Sequence, residues 1–127
     1  MILTRALHKN VILKNLGLVG YTSAMTTMHQ LQEDKLEKGV KENYLITCQH
    51  HPVYTLGTRK DTSYMTPQML QNLNNMDGVE LIRTNRGGLI TFHGPGQLVC
   101  YPVVNLRDFG WTLRCYVHKL EQVLILC

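Results

Sequence analysis

The sequence predicts a domain of the α/β (α+β) class, with helices packed against a mixed, mainly antiparallel sheet. Three observations support this class. Short apolar runs typical of strands alternate with segments whose apolar residues recur at helical spacing. The elements follow the order strand, helix, strand, helix, strand, hairpin, helix, which suits helices covering a sheet. No repeat, linker or low-complexity segment divides the chain, so residues 1–127 are expected to form one domain.

The first half of the chain holds two strands and a long helix. Residues 10–16 are apolar enough for a first strand, and residues 22–38 place apolar side chains at helical spacing. Gly39 stands where a glycine commonly caps the end of a helix. Residues 44–48 predict a buried strand, which leads into a loop over residues 49–59.

The second half begins with a short helix. Thr66 and Pro67 form a cap and first-turn pair for it, and its apolar face would hold Met69, Leu70, Leu73 and Met76. Residues 79–84 predict a strand. Residues 89–93 and 98–104 flank a Gly-Pro-Gly-Gln turn and are expected to be the two arms of a hairpin. Pro102 cannot donate a backbone hydrogen bond, so the second arm should lie at a sheet edge or carry a bulge.

Residues 112–127 predict a last, strongly amphipathic helix. Its apolar stripe comprises Leu113, Tyr116, Val117, Leu120, Val123, Leu124 and Cys127. The sequence stops there without a capping glycine or a basic last turn. We therefore expect a single domain, 1–127, that is truncated at its C-terminus.

Composition limits the classes of partner. The net charge of +4, from thirteen basic against nine acidic residues, is mild and dispersed, which argues against nucleic acid and suits an acidic protein partner. No apolar run has the length of a membrane span, so no membrane partner is expected. The four cysteines lack the paired spacing of a zinc site, and we expect free thiols and no metal. Residues 1–32 contain basic but no acidic residues, a composition typical of an organelle transit segment.

The stretch RGGLITFHGPGQ, residues 86–97, is the strongest candidate for a functional site. Arg86 precedes two glycines, an arrangement that could hold a carboxylate, a phosphate or a polar carbonyl. His93 could act as an acid, a base or a hydrogen-bond donor. A plain turn punctuated by glycine and proline explains the same residues, and composition alone leaves both interpretations open.

Longer patterns add a resemblance. QHHPVYTLG, RTNRGGLITFHGPGQLVCYPVVNL and YVHKLEQVL, in this order, resemble the lipoyl(octanoyl) transferase family from about Leu16 to the end, but cover only the first part of a member. The resemblance implies the fold of biotin and lipoate protein ligases. It implies transfer of an octanoyl group from acyl carrier protein to a lysine on lipoyl domains of 2-oxoacid dehydrogenase complexes and on the glycine cleavage H protein, without a cofactor.

The resemblance also implies a substrate site. In the family the segment RGG-x-x-T-[FY]-H lines the acyl tunnel. It falls here on Arg86, Gly87, Gly88, Leu89, Ile90, Thr91, Phe92 and His93. Three of these residues are apolar and could bury an eight-carbon chain, at about 0.8 kcal/mol per methylene.

The catalytic half of the family pattern is missing. Members carry a nucleophilic cysteine in a Pro-Cys-Gly context and a lysine in a Lys-Ile-x-x-Ile-Gly context, and neither context occurs in this sequence. We therefore assign no catalytic residue and expect residues 1–127 alone to be inactive. The cysteines, at positions 48, 100, 115 and 127, are expected to be small core residues.

Two other functions stay open, and one location is favoured. The chain could be a non-catalytic acyl-binding or interaction protein that retains only the substrate loop, or a relative of the lipoate ligases that use an acyl adenylate. The pathway that the resemblance implies is mitochondrial in eukaryotes and cytoplasmic in bacteria. The acid-free N-terminal region favours the mitochondrion.

Overall fold

A computed structural model describes residues 10–59 and 65–126. Their regular elements, in chain order, are β1 (Val11–Val19), α1 (Tyr21–Glu37), β2 (Asn43–His50), β3 (Val53–Leu56), α2 (Pro67–Asn74), β4 (Glu80–Arg83), β5 (Ile90–His93), β6 (Val99–Val103), a 3₁₀ helix (Leu106–Phe109) and α3 (Leu113–Leu126).

The strands form two three-stranded sheets. The first has the order β1-β2-β6, with β1 parallel and β6 antiparallel to β2. The second has the order β4-β3-β5, with β4 parallel and β5 antiparallel to β3. The predicted mixed α/β class is confirmed. The four described pairs divide evenly between parallel and antiparallel, so the antiparallel excess that we expected is not seen among them.

The predicted hairpin between residues 89–93 and 98–104 is wrong. Both arms are strands, but β5 pairs with β3 in the second sheet and β6 pairs with β2 in the first. The Gly-Pro-Gly-Gln turn closes locally, since Gln97 N–H donates to the Gly94 carbonyl at 3.2 Å. The chain then leaves one sheet for the other, so this turn connects the two sheets.

The sequence interpretation also missed β3, which lies inside the predicted loop 49–59. This four-residue strand is the centre of the second sheet, paired on both sides. It lies between Pro52 and Gly57, residues that punctuate loops. A strand this short gives little periodic signal, and its assignment depends on partners that are distant in sequence.

The remaining element predictions are confirmed. Helix α1 packs on the first sheet with Ala24 fully buried, and Gly39 follows it with a φ of +67°. Helix α2 begins as expected, because Thr66 Oγ1 accepts a hydrogen bond from Met69 N–H at 3.2 Å. Pro102 lies on β6, an edge strand of the first sheet.

The predicted N-terminal transit region, residues 1–32, is only partly described by the structure. Residues 1–9 lie outside the described residues. Residues 11–19 form β1, which pairs with β2 over its length apart from a shift between Asn15 and Leu18. This part of the region therefore contributes a strand to the first sheet.

Helix α3 forms as predicted but leaves its apolar side chains exposed. The exposed residues are Leu113, Val117, Leu120, Val123, Leu124, Ile125 and Leu126. Tyr116 is half-buried, and Cys127 lies outside the described residues. That the domain continues beyond this helix stays a prediction. No helix within residues 10–59 and 65–126 combines the length and the apolar character needed to cross a membrane.

Part of the core lies where the two sheets meet, and Asn43 and Val103 are buried at the opposite end of the first sheet. In β2 the alternate side chains of Ile46, Cys48 and His50 are buried, and in β3 Val53 and Thr55 are buried. This junction places β2, the start of α1 and the end of β5 close together, and it positions the candidate site.

Candidate functional site

Arg86 acts as a clamp on the central strand of the second sheet. Its Nη2 donates to the carbonyl oxygen of Thr55 at 2.8 Å and to the Thr55 hydroxyl at 2.7 Å, and its Nη1 donates to the Gly87 carbonyl at 3.0 Å. Thr55 is fully buried. The guanidinium therefore has a structural role that the sequence did not indicate, and the segment before β5 is fixed by charge-assisted hydrogen bonds.

The double glycine after Arg86 lies against a third glycine. A Cβ on Gly57 would stand 2.8 Å from the Gly88 carbonyl carbon and closer still to its oxygen. Gly88 has a φ of +91°, a conformation that favours glycine. Thr58 N–H donates to the Arg86 carbonyl at 2.8 Å and joins the same two segments. The glycines therefore allow a close approach between two segments of the protein's own backbone.

The edge strand β5 presents an apolar surface. Phe92 is 46% exposed, with its ring centroid 5.0 Å from that of Tyr54, and Leu89 is 38% exposed. Ile90 is half-buried, and Thr91 is exposed. The apolar residues that the resemblance assigned to the acyl chain therefore lie on, or directly before, an accessible edge strand.

His93 ends β5 and is held on two sides. Its Nδ1 lies 2.6 Å from Gln97 Oε1, and its ring stacks on that of Tyr21 with centroids 6.3 Å apart. An amide oxygen only accepts hydrogen bonds, so Nδ1 carries the proton in the neutral ring. The lone pair is then on Nε2, the nitrogen that could accept a proton or a hydrogen bond from a ligand.

The turn after His93 is tied to the first sheet. Gly96 N–H donates to Gln49 Oε1 on β2 at 2.8 Å. A Cβ on Gly94 would meet the Phe92 ring at 2.9 Å, so the turn packs closely against the apolar edge. The turn is thus shaped by glycine and fixed by its contacts with both neighbouring strands.

Beside His93 lies a buried polar cluster that the sequence interpretation missed. His50 is fully buried, with Nδ1 at 3.1 Å from the Val19 carbonyl and Nε2 at 2.8 Å from the Tyr101 hydroxyl. Burial is the main cause that lowers the pKa of His50 and raises the pKa of Tyr101. The only sequence signal was the position of His50 within QHHPVYTLG.

The cysteines differ in their surroundings. Cys48 is buried, as expected, and burial raises the pKa of its thiol, which disfavours the reactive thiolate. Cys100 is exposed, so its expected core position is wrong, because β6 is an edge strand. Cys115 is partly exposed on α3. Within residues 10–59 and 65–126, no three side chains of His, Cys, Asp or Glu are grouped to hold a metal ion.

A separate groove of about 660 Å³ lies at the other end of the first sheet, between the end of α1 and residues 102–108. None of residues 86–93 lines it. Lys35 in this groove already donates to Asn43 Oδ1 at 3.3 Å, and Asn43 donates to Asp108 Oδ2 at 3.3 Å. Its polar groups thus hold the fold together, and β5 carries the better candidate site.

The structure is a mixed α/β domain in which an arginine-clamped glycine segment lies beside an exposed apolar sheet edge and a histidine. The family model for the lipoyl protein ligase A/B catalytic domain matches residues 20–127, and the chain belongs to that family. The expected resemblance is confirmed.

Named relatives agree with this assignment. The chain is 44% identical over 126 residues to the mitochondrial octanoyl-[acyl-carrier-protein]:protein N-octanoyltransferase LIPT2 of Danio rerio, covering 98% of this chain and 54% of that protein. It is 39% identical over 119 residues to an octanoyltransferase of Alkaliphilus metalliredigens, covering 94% and 52%. The chain thus spans about half the length of these curated relatives.

Proposed function

We propose that this chain forms the acyl-binding part of an octanoyltransferase, which moves an octanoyl group from acyl carrier protein to a lysine of a lipoyl domain. The observation that carries the proposal is the 44% identity to the Danio rerio octanoyltransferase over 98% of the chain. The matched region includes the clamped segment and the apolar edge of β5 described above.

The octanoyl chain is proposed to lie along the β5 edge. Leu89 and Phe92 offer exposed apolar surface there, next to Ile90. Burial of most of an eight-carbon chain at about 0.8 kcal/mol per methylene would contribute a few kcal/mol of binding free energy. Arg86 and the two glycines fix the backbone beside this surface, and His93 would contact the thioester end through Nε2.

The transfer chemistry is proposed to need residues beyond these 127. A cysteine thiolate would attack the octanoyl thioester carbon, forming a new thioester while the carrier thiol leaves and takes up a proton. The lysine amine would then attack that carbon, form the amide, lose a proton and release the cysteine. Buried Cys48, with its raised pKa, is unsuited to the first step. We therefore expect residues 1–127 alone to be inactive.

The proposed partners are octanoyl-acyl carrier protein, lipoyl domains of 2-oxoacid dehydrogenase complexes and the glycine cleavage H protein. A net charge of +4 suits an acidic partner. The proposed location is the mitochondrion, supported by the mitochondrial relative and the acid-free residues 1–32. A reporter fused to the first 30 residues should be imported, and cytosolic retention would contradict this location.

The substrate site can be tested in the natural full-length protein with octanoyl-acyl carrier protein and a lipoyl domain. Phe92→Ser should raise the KM for the octanoyl carrier and narrow the preference for octanoyl over butyryl carrier, because it removes apolar surface. Phe109→Ser, outside β5, is the matched control and should keep the chain-length preference. An unchanged preference in Phe92→Ser would contradict the site.

The same assay separates the two alternative functions. Reversible binding of octanoyl carrier protein without transfer, by the full-length protein, would favour an acyl-binding protein. Activation of free lipoate that depends on ATP would favour a ligase. Transfer without ATP supports the proposed function.

A further inference from the structure

A fully buried histidine in contact with the proposed site has no role in the function proposed so far. His50 ends β2 at the junction of the two sheets. Its ring is 5.4 Å from that of Tyr21 and 5.9 Å from that of His93, in a nearly perpendicular arrangement with the latter. The three rings contact each other pairwise, since Tyr21 also stacks on His93.

Two hydrogen bonds fix the state of His50, and Cys48 Sγ also lies 3.6 Å from its Nε2. The Val19 carbonyl can only accept, so Nδ1 of His50 must carry the proton. Nε2 of the neutral ring then accepts from the Tyr101 hydroxyl at 2.8 Å. Burial, which lowers the pKa of His50, keeps the ring in this neutral form. Its orientation is therefore set from both sides by groups on β1 and β6.

The orientation of the His93 ring depends on its contacts with the rings of Tyr21 and His50. Gln97 holds only Nδ1, while the Tyr21 ring stacks on the His93 ring and the His50 ring lies nearly perpendicular to it. A small rotation of His50 would open space beside His93 and let its ring turn. Tyr101, which sets the rotation of His50, makes neither a hydrogen bond nor a ring contact with His93.

We propose that His50, locked by Val19 and Tyr101, is a positioning residue that holds the His93 ring with Nδ1 on Gln97 and Nε2 available to the acyl thioester. The proposal rests on the proposed function for the identity of the ligand alone. The coupling from Tyr101 through His50 to His93 is a property of the folded domain and can be measured without substrate.

The test uses Tyr101→Phe in the natural full-length protein, with ring ¹⁵N NMR of His93 and octanoyl-transfer kinetics. The wild-type protein should show His93 mainly with its proton on Nδ1, and Tyr101→Phe should give a mixture of tautomers. The kcat of transfer should fall by about tenfold, since a 1 Å misplacement of a reacting group can cost up to about a hundredfold. The KM for octanoyl carrier protein should change less than twofold.

Two variants of His50 guard against a simple loss of folding. His50→Gln keeps an acceptor for Tyr101 and should retain more activity than His50→Leu, which loses every polar contact of the ring. His29→Gln, on the exposed face of α1, is the matched control and should leave both measurements unchanged. A normal His93 tautomer and normal kcat in folded Tyr101→Phe would overturn the proposal.

The outcomes also separate this proposal from the proposed function. A wild-type protein that transfers no octanoyl group, while Tyr101→Phe still changes the His93 tautomer, would support the positioning role and overturn the function. Normal transfer in wild type with unchanged tautomers in every variant would support the function and overturn the positioning role.

Discussion

Arg86 holds Thr55 through two hydrogen bonds from the same Nη2, at 2.8 Å to the carbonyl oxygen and 2.7 Å to the hydroxyl. Thr55 is fully buried in β3, and Arg86 precedes β5, the neighbouring strand. The clamp therefore fixes the glycine segment to the centre of the second sheet. The sequence predicted that Arg86 binds a ligand, whereas in the structure its guanidinium largely holds the site's own backbone in position.

Arg86→Lys should destabilise the natural protein by about 2 kcal/mol. A lysine ammonium cannot reproduce the planar geometry of the guanidinium, and a weakened bond leaves the buried hydroxyl of Thr55 under-satisfied. Urea unfolding would measure the loss. Arg83→Lys, an exposed position on β4, is the control and should change the free energy of unfolding by less than about 0.5 kcal/mol. Equal effects at both positions would contradict the clamp.

Gly57→Ala should be more damaging than an ordinary glycine substitution. The new Cβ would overlap the Gly88 carbonyl, so the segment before β5 must move, at a cost of about 1–3 kcal/mol. Proposed octanoyl binding should weaken with it. The control is Gly20→Ala, since a Cβ there has nothing within 4 Å and the φ is −60°. Equal losses of stability and of octanoyl binding in the two variants would contradict the close packing of Gly57 against Gly88.

The stability of the protein should fall on acidification because of His50. Its pKa is lowered in the folded state, so below about pH 6.5 the unfolded chain binds more protons. The contribution is complete above that pH and is lost as the pH falls toward the folded pKa, with a slope of at most about 1.4 kcal/mol per pH unit.

Urea unfolding between pH 7.5 and 5 would measure this slope. His50→Gln should reduce the slope of the free energy of unfolding against pH relative to wild type. His29→Gln should leave the contribution of His50 to that slope unchanged. The titratable groups that face His50 are Tyr21, Cys48, His93 and Tyr101, with His51 nearby. A slope that survives unchanged in folded His50→Gln would show that His50 does not cause it.

The cysteines should react in the order of their exposure. Cys100 is exposed on the edge strand β6, whereas Cys48 is buried and burial raises the pKa of its thiol. Iodoacetamide should therefore label Cys100 readily and Cys48 only after unfolding, as peptide mass mapping would show. Fast native labelling of Cys48 would mean that the junction of the sheets opens in solution.

The parts of the fold with strong local signals could be predicted from the sequence. Helix α2 was readable from Thr66 and Pro67, and the end of α1 from Gly39, because caps act over one turn. Strand β3 was not readable, since four residues between Pro52 and Gly57 carry no clear period. The hairpin error arose because the same turn can join two paired strands or two separate sheets, and only distant partners decide.

The candidate site divides in the same way. The resemblance singled out residues 86–93; of these, residues 90–93 form the edge strand β5 beside β3, and residues 86–89 lie directly before it. The role of Thr55 as the partner of Arg86, and the contact between His50 and His93, connect residues 31 and 43 positions apart. Such pairings depend on sheet topology, which a local sequence motif does not encode.

The most direct test of the account is the mass of the protein after incubation with octanoyl-acyl carrier protein, with the acylated residue mapped by proteolysis. We predict that the natural full-length protein retains one octanoyl group on a cysteine outside residues 1–127, and that residues 1–127 alone retain none. An octanoyl thioester on one of the four cysteines of this sequence, passed on to a lipoyl domain, would contradict the account.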